Sequence, residues 1–152
     1  MKSILFVVFC FFGWFCSNPF AIIQSDFQQV AAGRMESGVA SIYSFSMVAK
    51  YSSSKLVIED LWVDSVYFRV NPYKQNPDLS FSQSWNRGDT IRFRAVMRHY
   101  PHENKTIKDN GGPEKLLPKK YSGEALIGYV LNGKQKYFEV ETITKLPKQN
   151  MP

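Results

Sequence analysis

The stretch Ser41–Val70, SIYSFSMVAKYSSSKLVIEDLWVDSVYFRV, decides the fold. Tyr43, Phe45, Met47, Ala49 and Tyr51 occupy one phase of a two-residue repeat, and Ser44, Ser46 and Lys50 the other, with Val48 out of pattern. Successive side chains on a strand point to opposite faces, so this alternation predicts a half-buried strand. Ser52-Ser53-Ser54 supplies a polar turn, and Leu56, Val57 and Ile58 restart an extended run. Glu59-Asp60 interrupts it as a bend or bulge with solvated acids, before Leu61 and Val63 resume on one face and Trp62 on the other. Val66, Phe68 and Val70 then alternate with Tyr67 and Arg69, and Pro72 closes the block because it cannot donate to a ladder. Two or three consecutive runs of this kind predict antiparallel sheet.

The rest of the chain is written in the same style. Ile91, Phe93, Ala95 and Met97 alternate with Arg92, Arg94, Val96 and Arg98, after a tight turn at Asn86-Arg87-Gly88-Asp89. Asn132-Gly133 is a strong hairpin signal, since a type I′ turn needs positive φ at both central residues. A two-residue loop there sets Ile127 opposite Phe138, Ala125 opposite Val140 and Gly128 opposite Tyr137, so apolar meets apolar on one face. Between these runs, Asn71–Trp85 reads as a polar loop in which Leu79 and Phe81 could form a short edge strand, and Pro101–Tyr121 as a long connection, either functional or mobile. Gly33 to Gly38 reads as a turn and lacks the glycine spacing and Lys-Ser/Thr ending of a phosphate loop. Six to eight short strands without an amphipathic helix predict an all-β, immunoglobulin-like β-sandwich, with a small barrel as the alternative.

At 152 residues the chain is long enough for one domain, and 44% apolar with 21% charged residues is a globular balance. The 15% aromatic share favours pleated, half-buried surfaces. A formal charge of +6 is a mild basic excess that leans toward anionic partners.

Met1-Lys2 followed by the apolar run Ile4–Phe15 has the length of a signal peptide and is short for a membrane span. An uncleaved signal anchor and a buried N-terminal helix are the alternatives. Three processing points compete: after Ala21, after Ser25, or at Cys16 in the manner of a lipoprotein, although Phe15 stands where a small residue is usual. The expected organisation is a leader over 1–21, a lead-in over 22–38 in which Gln24–Ala32 reads as either a first strand or a loosely ordered entry, a sandwich over 39–146 and a frayed tail over 147–152. Cys10 and Cys16 both lie in the leader, so a chain cut past Cys16 has neither a thiol nucleophile nor a cysteine metal site. Asn104-Lys105-Thr106 fits an N-glycosylation acceptor, which matters only in a eukaryotic secretory route.

Gly33, Ser37-Gly38, Tyr43 and Phe45, then Ser53 and Leu56, Leu61-Trp62-Val63 and Arg87-Gly88-Asp89-Thr90 give the chain a further likeness. Across Val30–Ala95 it resembles a loose group of small exported proteins, many of them lipoproteins, from bacteria of the Bacteroidetes kind. The resemblance implies an envelope or secreted setting and an immunoglobulin-like sandwich. It carries no activity to any residue.

Signals for catalysis are sparse. His99 and His102 are the only histidines; with Glu103 they could approach one metal, but helical HExxH spacing is missing and strand-end polar residues explain them as well. No G-x-S-x-G elbow occurs. Carboxylate pairs for glycoside chemistry would have to come from Glu59, Asp60, Asp64, Asp78 or Asp89, which read better as solvated acids. The constellation that remains is basic: Arg92, Arg94 and Arg98 on one strand face, with Lys119, Lys120 and the aromatics Tyr67 and Trp85. Arginine forks match carboxylate and phosphate bidentately, so this set could meet an anionic glycan or lipid head group, or serve as an ordinary solvated face.

The sequence is thus read as a non-enzymatic, exported binding or assembly protein of the cell envelope. The alternative is a carbohydrate- or anion-binding module using the arginine face, and a hydrolase at the Pro101–Tyr121 loop comes third. No catalytic residue, metal or cofactor is expected. The expected partners are an envelope protein, a glycan or an anionic surface, rather than nucleic acid, with membrane contact only through the leader or a lipid on Cys16. The expected location is periplasmic, outer-membrane-anchored or extracellular.

Overall fold

The computed structural model describes residues 18–31, 38–109 and 113–150. It is a two-layer β-sandwich. Among the described residues twelve strands follow in order: β1 Phe20–Ala31, β2 Val39–Ala49, β3 Leu56–Val63, β4 Val66–Arg69, β5 Lys74–Gln75, β6 Phe81–Ser82, β7 Thr90–Tyr100, β8 Lys105–Lys108, β9 Ala125–Leu131, β10 Lys134–Val140, β11 Thr144–Lys145 and β12 Gln149–Asn150. The first sheet runs β11-β1-β2-β7-β8, with β12 also on β1; the second runs β10-β9-β3-β4; β5 and β6 form a small hairpin. Both large sheets are open rather than closed on themselves, so the barrel alternative is set aside.

The core lies between the sheets and comes from the apolar phase of each alternating run. Phe45, Met47 and Ala49 of β2 and Ile91, Phe93 and Ala95 of β7 meet Leu56, Ile58, Leu61 and Val63 of β3 and Ala125 and Ile127 of β9. Phe45 pairs across the strands with Phe93, and their rings stack at 5.0 Å. The β9–β10 hairpin has the register its turn dictates: Ile127 opposite Phe138, Ala125 opposite Val140, Gly128 opposite Tyr137. Asn132 and Gly133 take φ of 50° and 76°, as a type I′ turn requires.

Three sequence expectations are corrected. Residues 22–31 are strand rather than a loosely ordered lead-in: β1 pairs with β2 from Phe20 to Ala31, and Phe20 is 1% exposed in the main core. The tail is not frayed at 149–150, because β11 and β12 add in parallel to the free edge of β1. Leu146 N–H donates to the Phe27 carbonyl between them, so the tail covers an edge that would otherwise present unpaired groups. Glu59-Asp60 does mark a bulge in the β3–β9 ladder, but Asp60 is buried rather than solvated.

That last difference reveals a second, smaller core on the outer face of the second sheet. Trp62, Tyr67 and Leu126 point away from the main core, yet the segment 113–122 lies over them with Leu117 and Tyr121. The Tyr67 hydroxyl donates to Asp60 Oδ1 at 2.9 Å, Lys115 Nζ donates to the same oxygen at 2.7 Å, and Trp62 Nε1 donates to the Lys115 carbonyl at 3.3 Å. Burial raises the Tyr67 phenol above 10.0, with the bond to Asp60 adding to it; the same carboxylate raises Lys115 above 10.5. The long connection therefore divides into β8 and a strap that seals one sheet. Among the described residues, no helix is long and apolar enough to cross a membrane.

Candidate functional site

The polar phase of the first sheet builds the site. β1 presents Gln24, Asp26 and Gln28, β2 presents Ser44 and Ser46, and β7 presents Arg92 and Arg94 to the face opposite the core. Register lines these up in rows: Gln24 with Ser46 and Arg92, and Asp26 with Ser44 and Arg94. Strands stand about 4.8 Å apart, so the outer members of a row are separated by roughly 10 Å, about the span of one sugar ring with its substituents.

Two walls make this face a groove of ≈ 730 Å³. On one side stands the β5–β6 hairpin with Tyr73, Gln75 and Phe81; on the other, the tail with Leu146 and Gln149. The hairpin is fixed to β7 by reciprocal bonds between Tyr73 and Arg92, Tyr73 N to Arg92 O at 2.9 Å and Arg92 N to Tyr73 O at 2.8 Å. Lys74 Nζ reaches Asp89 Oδ2 at 2.9 Å, and the Asn86 N–H donates to that same oxygen at 2.8 Å. The Asn86 amide first, and Lys74 after it, hold the Asp89 carboxyl below its usual range. Phe81 is 68% exposed and meets Tyr73 edge to face at 5.1 Å. A solvated ring held at a groove rim is available for stacking.

The charges are distributed unevenly. Arg92 Nη1 donates to Gln75 Oε1 at 3.1 Å, which fixes its fork against the hairpin wall. Arg94 is exposed, with no acid at ion-pair distance among the described residues. Asp26 is buried low in the floor and accepts from Gln24 Nε2. Guanidinium forks, amides, hydroxyls and one carboxylate together offer donors and acceptors to a polar ligand, and the two arginines favour an anionic one.

The structure brings together only part of the constellation read from the sequence. Arg92 and Arg94 line the groove; Arg98 lies on the same face beyond it and pairs with Asp109 at 3.3 Å. Lys119 bonds Glu139 at 2.9 Å on the other sheet, and Lys120 is exposed nearby on the strap. Tyr67 is buried beneath that strap. Trp85 is buried in the main core with Nε1 donating to the Tyr51 carbonyl at 3.2 Å, so neither aromatic is a surface platform. Cys16 lies outside the described residues. His99 Nδ1 sits 3.2 Å from Thr106 Oγ1 while His102 is exposed in the next turn, and the described residues hold no cluster of metal-ligating side chains. Nothing in the sequence marks Gln24, Asp26, Gln28, Ser44, Ser46, Tyr73, Gln75, Phe81 or Gln149 as a site residue. The signal for Ser44 and Ser46 was present as the polar phase of β2, but only strand order shows that it faces the arginines.

No family model matches the chain, and no curated protein or solved structure gives a significant match.

Proposed function

We propose that the protein is an exported, non-catalytic carbohydrate-binding module that takes acidic glycans in the groove of its first sheet. The observation that carries this reading is the polar floor with Arg92 and Arg94 at one side, walled by the exposed ring of Phe81. An acidic sugar offers a carboxylate or sulfate to the arginine forks, hydroxyls to Asp26, the glutamines and serines, and a C–H face to the aromatic rim. A small apolar ligand would leave these polar groups unpaired. Among the described residues the groove lining carries one carboxylate, Asp26, where glycoside hydrolysis ordinarily uses two flanking the bond, which supports binding over catalysis. The leader-like Ile4–Phe15 run supports a setting where extracellular polysaccharide is met.

Affinity electrophoresis and calorimetry with polygalacturonate, chondroitin sulfate and a neutral glucan test the proposal. Retardation by one or both acidic polymers, with none by the glucan, is expected. Equal retardation by the neutral glucan, or none by any polymer, overturns it.

A further inference from the structure

Two of the three processing points legible in the sequence, after Ala21 and after Ser25, fall inside β1. We propose that the leader is removed upstream of both, at a bond between the apolar run Ile4–Phe15 and Pro19, so that Pro19 and Phe20 stay with the folded domain. Processing is the hydrolysis of one peptide bond: water gives its hydroxyl to the leader's new carboxyl and its proton to the new amine. The export peptidase reads the leader, but its product must then fold, and the fold depends on what lies just before Ala21.

Phe20 is 1% exposed, packs edge to face on Tyr129 at 5.6 Å and on Phe138 at 5.0 Å, and pairs with Ala49. It is thus the contact by which the start of β1 reaches Tyr129 of β9 and Phe138 of β10 in the second sheet. Pro19 is also buried, and its carbonyl accepts from Lys50 N–H at 2.9 Å. A cut after Ala21 would remove both and place a charged amine on Ile22, which packs on the core and pairs with Met47. An unpaired charge brought to such a position is costly. A cut after Ser25 would also remove Gln24 from the groove and strip β1 of its first pairings with β2. Neither product could close the core that β1 completes.

The test is intact mass and N-terminal sequencing of the exported protein from its native cells, expressed as the full chain. A first residue between 16 and 19 is expected, and a Cys16 start carrying a diacylglycerol mass meets the proposal equally. A chain starting at Ile22, at Asp26 or still at Met1 overturns it. Phe20→Leu and Phe20→Ala in the same full chain supply the second measurement, with the N-terminus of each product checked by mass. Thermal melts should fall for both, by about 10 °C for the alanine variant and less for leucine, as a buried ring is truncated. An unchanged melt of Phe20→Ala overturns the claim that the domain needs this residue.

Discussion

Asp26 and Arg94 stand at the two ends of one cross-strand row, with Ser44 paired between them, so the groove holds an acid and a base on a single line. They are two strands apart, about 10 Å, too far for an ion pair and close enough to act on the same ligand. Their substitutions should therefore have opposite signs on an anionic ligand. Arg94→Glu is expected to weaken chondroitin sulfate binding about tenfold, close to 1.4 kcal/mol, and Asp26→Asn to strengthen it about twofold at low salt. Calorimetry at two ionic strengths checks this, because both shifts should shrink as salt screens them. The same sign for both substitutions would contradict the row.

The aromatic rim should act independently of charge. Phe81 is largely exposed, so Phe81→Ala is expected to leave the melt within about 0.5 kcal/mol of the parent. Binding of a galacturonate oligosaccharide should nonetheless fall about threefold to tenfold, the range of an aromatic contact of about 0.5–1.5 kcal/mol. The loss should persist at high salt, which separates it from that of Arg94→Glu.

Much of this fold was legible because local rules carry it. The β9–β10 register follows from Asn132-Gly133 alone, and the inward set Ile91, Phe93 and Ala95 follows from period-two alternation. Alternation, however, gives the phase of a strand and not what covers its second face. Alternation puts Trp62 and Tyr67 on the outer phase, yet they are buried because a strap distant in sequence lies on them. The strap hides well in the sequence: it is rich in lysine and proline, and its apolar side chains in the contact are Leu117 and Tyr121. Trp85 differs for another reason: a tryptophan in a polar loop reads as exposed, whereas this one enters the main core with Nε1 donating to the Tyr51 carbonyl. The groove needed still longer-range information. Arg94 announced itself, but Asp26 could join it only once β1, β2 and β7 were known to be neighbours.

The strap should open in alkali. Tyr67 and Lys115 both have folded pKa values raised above their ordinary 10.0 and 10.5, so the stability they contribute is fully present below about pH 10 and is lost as pH rises through the raised values. Deprotonation of Lys115 ends its ion pair with Asp60, and deprotonation of Tyr67 places a second anion beside that carboxylate. The Trp62 indole, bonded to the Lys115 carbonyl, should report the event as a red-shifted emission above pH 10 in a Trp85→Phe background. Asp60→Asn removes the charge that holds Lys115, and the transition should then begin at lower pH. An emission maximum that stays flat to pH 11.5 would count against a closed strap.

Gly128 and Gly133 sit on the same hairpin and should fail for different reasons. A Cβ on Gly128 would lie 2.9 Å from Asp60 Cβ and 3.1 Å from Trp62 Cζ3, so the second core is built around its absence. Gly133 has open space around it but a φ of 76°, where a side chain is strained. Alanine is therefore expected to destabilise at both positions, by about 1–3 kcal/mol at Gly128 through overpacking and about 1 kcal/mol at Gly133 through backbone strain. Asparagine distinguishes them, because it tolerates the left-handed conformation and hairpin turns accept it. Gly133→Asn should recover most of the loss seen with alanine, whereas Gly128→Asn should be worse than Gly128→Ala and should displace Asp60 from Tyr67 and Lys115. Denaturant melts of the four variants decide the matter: equal recovery at both sites would mean that packing against Asp60 and Trp62 is not what keeps position 128 a glycine.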